Sequence, residues 1–226
     1  MTVPVASPAP RAADEGIPMD KDVGFHTRGI TCGEALKRAF DISLALLLLA
    51  LAAPILLLGA LAVALDGKGP ILYWQERVGR GGAVFWICKL RTMRVDAESA
   101  GAPQWAALGD PRVTRVGRIL RRLRIDELPQ ILNVLKGEMS LVGPRPERPF
   151  FVEYLARELP DYAARHAVRP GITGWAQVNY PYGASLEDAR NKLSFDLYYI
   201  KHAGLLLDLL IVLVTPKAVV IDGGGR

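Results

Sequence analysis

The chain has 226 residues, half of them hydrophobic, with a mean hydropathy of +0.19, a formal charge of +5 and a pI near 9.3. That length suits one good-sized domain with appendages, and the hydropathy is high for a soluble protein. Cys32 and Cys88 lie far apart with no CxxC pair, and His26, His166 and His202 have no ligand spacing. A disulfide framework and a zinc site are therefore not expected. The basic balance favours an anionic partner, whether a phosphorylated substrate, an acidic lipid surface or nucleic acid. The interfacial flanks of a membrane-attached protein would explain the same charge.

Residues 1–33 are rich in Pro, Ala, Gly and Asp without apolar periodicity and read as a disordered extension. They are not a signal peptide, because the apolar run starts too late and lacks a small-residue cleavage pattern. Residues 34–66 form the next unit. The run Ile42–Leu65 is helical in composition, and about 20 residues suffice to cross the hydrocarbon core. A spanning helix and a re-entrant one both stay open. Pro54 near its middle predicts a kink. Lys37 and Arg38 before the run, with Lys68, Arg77 and Arg80 after it, show no preference for opposite sides.

Residues 67–226 read as a catalytic domain. Gly67-Lys68-Gly69-Pro70 stops the helix. Ile71–Trp74 and Val84–Ile87 read as two short strands joined by the Gly-rich turn 78–82, a hairpin. Lys89, Arg91 and Arg94 form a basic cluster, for which a solvated face is the ordinary reading. Residues 96–110 read as a loop, and Val113–Leu123 as an amphipathic helix carrying arginines. Asp126 has the chemistry of an N-cap, with Leu128, Ile131, Leu132 and Leu135 as the buried stripe of a helix ending at Gly137. Residues 149–167 read as a second amphipathic helix, with Phe150, Phe151, Tyr154, Leu155 and Leu159 on its apolar side. Arg169–Trp175 is a turn-rich loop, Leu186–His202 a helix, and Leu205–Val214 an apolar stretch too short to span, hence a core or interfacial helix. Trp86, Trp105 and Trp175 are expected in core packing.

The chemistry concentrates around Asp126 and Glu127. Arg118, Arg121, Arg122 and Arg124 precede the pair, and Arg145 sits between Pro144 and Pro146. Capping alone would explain the two acids. The cations change the balance, since phosphoryl transfer needs groups that fix phosphate beside acids that attack phosphorus or bind Mg2+. A glycosidase pair fits poorly, because adjacent residues cannot flank a sugar bond from opposite sides. GxGxxG and Walker loops are absent, and so are the patterns of common nucleic-acid modules.

The motifs Lys37-Arg38-Ala39-Phe40-Asp41, Gln75-Glu76-Arg77-Val78-Gly79, Lys89-Leu90-Arg91-Thr92-Met93, Asp126-Glu127-Leu128-Pro129-Gln130, Asn133 to Ser140, Val142-Gly143-Pro144-Arg145-Pro146 and Arg169 to Trp175 occur in that order. Together with Pro54 they resemble the bacterial sugar transferase family, the monotopic polyprenyl-phosphate phosphoglycosyl transferases, over about residues 35–220. The resemblance implies an α+β class: a mostly helical monotopic membrane protein with a re-entrant N-terminal helix kinked at Pro54, a short β-hairpin and amphipathic interfacial helices. Ala53 stands where the family often has serine. It also implies transfer of a sugar-1-phosphate from a UDP-sugar to undecaprenyl phosphate, with release of UMP, at the cytoplasmic face of the bacterial inner membrane. By analogy Asp126 is the nucleophile and an Mg2+ contact, and Glu127 supports it, for instance by accepting a proton from the lipid phosphate. Arg145, held by Pro144 and Pro146, binds the phosphate or uridine part, with Lys89, Arg91, Arg121 and Arg124 as further phosphate-binding candidates. Long relatives carry extra transmembrane helices ahead of this unit, and the chain resembles the minimal form. Asn179–Ser185 resembles the exopolysaccharide branch. Membrane lipid is an expected partner, nucleic acid is not, and a homodimer is left open. The rival reading is a basic membrane-tethered module that binds acidic lipid or nucleic acid without catalysis.

Overall fold

A computed structural model describes residues 32–98, 104–105, 109–181 and 183–221. The expected disordered extension lies outside these residues, apart from its last two positions. Helix α1 runs from Cys32 to Leu65 with Pro54 inside it. Pro54 has no N–H to give the carbonyl of Ala50, four residues back, so the helix loses one rung there. Most of its middle leucines are exposed, among them Leu51, Leu57, Leu58 and Leu61.

The hairpin is present and longer than its apolar cores suggested. Strands β1 (Leu72–Val78) and β2 (Val84–Leu90) pair antiparallel, from Leu72 opposite Leu90 to Val78 opposite Val84. A single 3-10 turn at Arg80–Gly82 joins them. Helix α2 (Arg115–Arg122) is capped by the Thr114 hydroxyl, which accepts from Gly117 N. Its outer face is less polar than expected, because Ile119 and Leu123 are exposed.

The region of the two acids departs from the expected single helix. Arg124 takes a left-handed conformation at φ 56°, a 3-10 helix follows over Ile125–Gln130, and helix α3 spans only Ile131–Lys136. Asp126 is thus in the first turn of the 3-10 helix and is not an N-cap. Leu132 points outward, and Asn133 and Val134 take the buried positions. Gly137 closes α3 at φ 90°, the left-handed conformation that glycine adopts without a Cβ penalty.

Strand β3 (Ser140–Val142) pairs in parallel with β4 (Gly171–Thr173), inside what read as a turn-rich loop. The two backbones approach so closely at Gly143 and Gly171 that a Cβ on either would strike the other segment. Helix α4 (Pro149–Glu158) ends before Pro160, and a separate 3-10 helix follows at Tyr162–Ala167, in place of one continuous helix. Tyr154 is on its exposed side. Helix α5 (Trp175–Asn179) leads to α6 (Leu186–His202), which has the expected bounds and a full capping box between Ser185 and Asp188. Helix α7 runs Leu205–Ile221, longer than the apolar stretch that announced it.

The main core joins Ile87, Ile131, Val134, Met139, Leu141, Val142, Tyr199 and Ile211 with Ala45 of α1. Buried polar contacts fasten α1 to this body. Asp41 accepts from Ser140 Oγ at 3.0 Å and Leu141 N at 3.1 Å. Lys37 Nζ lies 2.6 Å from Asp208 Oδ2 of α7, whose other oxygen accepts from Tyr199 OH at 2.7 Å. Arg38 donates to the carbonyls of Val134 and Leu135 at 2.6 and 2.8 Å. The far end of α1 packs Leu56, Ala60 and Val63 against Leu90, Leu120 and Ile125. Of the tryptophans, Trp105 stacks on Phe151 and Trp175 on Tyr198, but Trp86 is exposed, contrary to the expected core position.

Candidate active site

Three short segments meet at the acidic pair. The left-handed turn at Arg124 starts the 3-10 helix and brings Asp126 and Glu127 inward, so that both are buried. Strand alternation on β2 puts Lys89 on the opposite face from Leu90. The loop Gly143–Glu147 follows β3, with Pro144 and Pro146 buried and Arg145 between them partly exposed.

Glu127 is the hub. Arg145 holds it with both guanidinium nitrogens, Nη1 on Oε2 at 3.0 Å and Nη2 on Oε1. Lys89 Nζ lies 3.3 Å from Oε1, and Arg124 Nη1 lies 3.7 Å from Oε2. Burial pushes Glu127 up, but Arg145, Lys89 and Arg124 outweigh it and hold the carboxyl well below the usual range. Asp126 goes the other way. Burial, then the charge of Glu127, push its carboxyl up against the pull of Lys89, Arg121 and Arg124. Burial also brings Lys89 down to about 8, although Glu127 pulls it up. The two adjacent acids are thus electrostatically unlike, one clamped in its charged form and one strained in it.

Asp126 Oδ1 is buried and has no hydrogen-bond partner in the protein. An unpaired buried carboxylate oxygen is costly unless something else meets it. Mg2+ is usually held by one or two carboxylates together with substrate phosphates, rather than by a protein cage. Among the described residues no cluster of three acidic, His or Cys side chains occurs, so a divalent cation here would be held by Asp126 together with substrate phosphates.

The other candidates divide. Arg121 donates through Nε to Thr92 Oγ1 at 2.8 Å and acts on Asp126 through its charge. Arg118 and Arg122 are exposed. Arg91 is not brought to the pair. It donates to the carbonyls of Lys68, Gly67 and Val63 at 2.7, 2.9 and 3.2 Å, tying down the end of α1. Lys89 and Arg91 are not a solvated face, since both are committed to partners.

Two arginines unremarked as site residues set the loop. Arg77 Nη1 donates to the Pro146 carbonyl at 2.9 Å. Arg165 Nη2 donates to the Arg145 carbonyl at 2.8 Å, while its guanidinium is anchored on Asp196 at 2.8 and 3.1 Å and on Tyr162 OH at 2.7 Å. The loop backbone is thus gripped at two successive carbonyls, those of Arg145 and Pro146. Arg77 was findable, since it lies on the same face of β1 as the partner of Lys89, Tyr73. Arg165 carried no local signal.

Residues 32–222 match the family model described as bacterial sugar transferase. The chain is 49% identical over 191 residues to the UDP-N-acetylgalactosamine-undecaprenyl-phosphate N-acetylgalactosaminephosphotransferase of Aeromonas hydrophila, an alignment that covers 84% of this chain and 45% of that protein. It is 51% identical over 181 residues to the UDP-glucose:undecaprenyl-phosphate glucose-1-phosphate transferase of Caulobacter vibrioides, covering 79% and 67%. It is 42% identical over 195 residues to the exopolysaccharide production protein PSS of Rhizobium leguminosarum bv. phaseoli, covering 84% and 98%. The chain therefore spans less than half the length of the Aeromonas relative and nearly all of the Rhizobium one. The family match takes in every element from α1 to α7, the acidic pair and the loop that holds Arg145, and on that basis the chain belongs to the bacterial sugar transferase family.

Proposed function

We propose that this protein transfers a sugar-1-phosphate from a UDP-sugar to undecaprenyl phosphate, releasing UMP and starting a membrane-linked glycan. The observation that carries the reading is Asp126 Oδ1, a buried carboxylate oxygen without a partner, set among Lys89, Arg121 and Arg124 in a member of this family. The relatives' names, two of which specify undecaprenyl-phosphate sugar-phosphate transfer, support it.

In the first step a carboxylate oxygen of Asp126 attacks the sugar-bearing phosphorus. The bond from that phosphorus to the oxygen bridging the two phosphates breaks, and UMP leaves with the electron pair. In the second step an oxygen of undecaprenyl phosphate attacks the same phosphorus, the bond to Asp126 breaks, and the carboxylate is regenerated with the undecaprenyl-diphospho-sugar. Arg145, with Lys89 and Arg124 beside it, orients the phosphates and offsets charge on their oxygens. Asp126 would hold Mg2+, which would supply positive charge favouring the ionised acid and the departing phosphate. Glu127, held well below the usual range, is a weak base, so its support is to order Arg145 and Lys89 rather than to take a proton. With UDP-sugar and Mg2+ alone, the full chain should release about one equivalent of UMP and retain label from the sugar, as covalent catalysis in two steps requires. No UMP from any UDP-sugar, with or without undecaprenyl phosphate, would end this reading. Steady UMP release without trapped label would replace it with direct transfer.

The proposed location is the bacterial inner membrane, with α1 re-entrant and the catalytic part on the cytoplasmic face. Residues 38 and 63 would be roughly 38 Å apart on a straight helix. Yet Arg38 is bonded to α3, and Val63 packs on β2 and α2 of the same body. A helix crossing the bilayer would carry one of those ends away. Exposed Ile119 and Leu123 of α2, Leu132 of α3, and Leu206, Leu210 and Leu213 of α7 suit an interfacial bed. Pro54→Leu restores the missing backbone donor and should send the N-terminal end across the membrane in part of the population, with activity lowered in proportion. A cysteine at Gly33, with Cys32 and Cys88 replaced, reports this through an impermeant thiol reagent on intact cells. Strong labelling of the parent form would mean a plain spanning helix.

A further inference from the structure

The peptide between Arg145 and Pro146 has no N–H, because proline supplies none, so the Arg145 carbonyl is its one polar handle. Arg165 takes that handle through Nη2 at 2.8 Å. We propose that Arg165 is a positioning residue for the transfer: it fixes the Arg145–Pro146 peptide and so aims the Arg145 guanidinium at the substrate phosphate. The proposal rests on the transfer reading above and names the buried residue on which its phosphate grip depends.

Burial gives Arg165 this role in place of a contact with substrate. Its side chain is only 7% exposed. Its charge is met by Asp196, at 2.8 and 3.1 Å, and Nη1 donates to Tyr162 OH at 2.7 Å. Enclosed and paired in this way, it offers the site geometry rather than charge. Arg77, which holds the next carbonyl, differs. Its charge bears on Glu147, Arg145 and Glu127, so its loss would mix electrostatics with geometry.

The rest of the loop shows why this one peptide matters. The Val142 carbonyl accepts from Tyr199 OH at 3.1 Å, that of Pro144 from Gly171 N at 2.9 Å and that of Glu147 from Val78 N at 2.9 Å. These holds come from α6, β4 and β1, and they pin the loop at both ends. Asp196 and Tyr199 stand three apart on one face of α6, and both are buried. That face therefore reaches the Val142 carbonyl directly and the Arg145 carbonyl through Arg165. With the ends pinned, the tilt of the Arg145–Pro146 peptide sets ψ of Arg145 and the direction in which its side chain leaves the loop. A donor on that carbonyl presets the guanidinium, where a misplacement of about 1 Å can cost on the order of a hundredfold in rate.

The test is a double-mutant cycle on the full chain in detergent, reading UMP release, UDP-sugar affinity by calorimetry and thermal unfolding. Arg165→Lys keeps a cation for Asp196 but lacks the fork that serves several acceptors at once. In the parent it should lower UMP release about tenfold or more. In Arg145→Ala no guanidinium remains to be aimed, so the same exchange should change release by less than about twofold. The fall in melting temperature should be alike in both backgrounds. Equal fold-losses of release in the two backgrounds would make Arg165 a support of the fold alone and overturn the proposal, as would parental release by Arg165→Lys. Should Arg165→Lys not fold, the paired exchange Arg165→Gln with Asp196→Asn takes its place under the same criteria, since it removes the hold without leaving a lone buried charge. If the parent binds a UDP-sugar but releases no UMP, the transfer reading falls, and the same cycle scored on affinity supports or overturns the positioning. A parent that neither binds a UDP-sugar nor releases UMP overturns both.

Discussion

Asp126→Asn should lower UMP release by roughly three orders of magnitude or more, the scale on which covalent nucleophiles register, while leaving the protein as stable as the parent or more so. The amide keeps the shape but cannot attack phosphorus and is a poor ligand for Mg2+. The stability half of the prediction comes from the site's electrostatics. Asp126 is buried beside Glu127, and both facts push its carboxyl up, so its charge is strained in the folded protein. Removing that charge relieves like-charge repulsion and desolvation. Thermal unfolding of parent and variant, paired with the UMP assay, reads both quantities. UMP release within about tenfold of the parent would remove Asp126 from the chemistry, since losing a nucleophile costs far more. A large fall in melting temperature would mean that Asp126 holds the fold rather than reacting.

Glu127→Ala should behave in the opposite sense and cost stability heavily. This carboxylate is the shared partner of Arg145, Lys89 and Arg124 and is itself only 10% exposed. Removing one member of a buried charge cluster costs about 3–5 kcal/mol, because the remaining charges stay desolvated. For a domain of this size that is on the order of 10 °C in Tm. Lys89 suffers most. Already brought down to about 8 by burial, it loses the charge that pulled it up, so its proton should leave at lower pH in the variant. Arg145→Ala is the control. It leaves Glu127 with two cations, so its loss of stability should be clearly smaller, although UMP release should fall in both. Equal destabilisation by the two variants would show that Glu127 is not the hub. Asp126→Asn and Glu127→Ala are thus expected to separate the neighbouring acids, one reactive and one structural.

That division bears on how the fold carries α1. The same body that builds the site spends Arg91, Arg38, Lys37 and Asp41 on fastening the ends of the apolar helix. Lys37 reaches the Val142 carbonyl at 3.3 Å, one residue before the loop of Arg145 begins. The apolar helix α1 and the Arg145 loop are therefore packed as one unit.

Much of this was legible in the amino-acid order because it depends on neighbours a few positions away. Ser185 and Asp188 cap their own helix, Gly137 ends α3 where a left-handed residue is needed, and the short runs 71–74 and 84–87, rich in β-branched and aromatic residues, flank the Gly-rich turn 78–82 of the hairpin. The ordered motifs from Lys37 to Trp175 were sufficient to indicate the family. Which charge meets which follows from long-range packing. Lys89 and Arg91 stand two apart in sequence, yet one ends on Glu127 and the other on the carbonyls at the end of α1. The 3-10 turn that buries Asp126 and Glu127, the three-residue pairing of β3 with β4, and the hold of Arg165 on the Arg145 loop have no local signature either. Each is set by contacts between distant segments, whose energies come from burial and charge pairing that exist only once those segments have packed together.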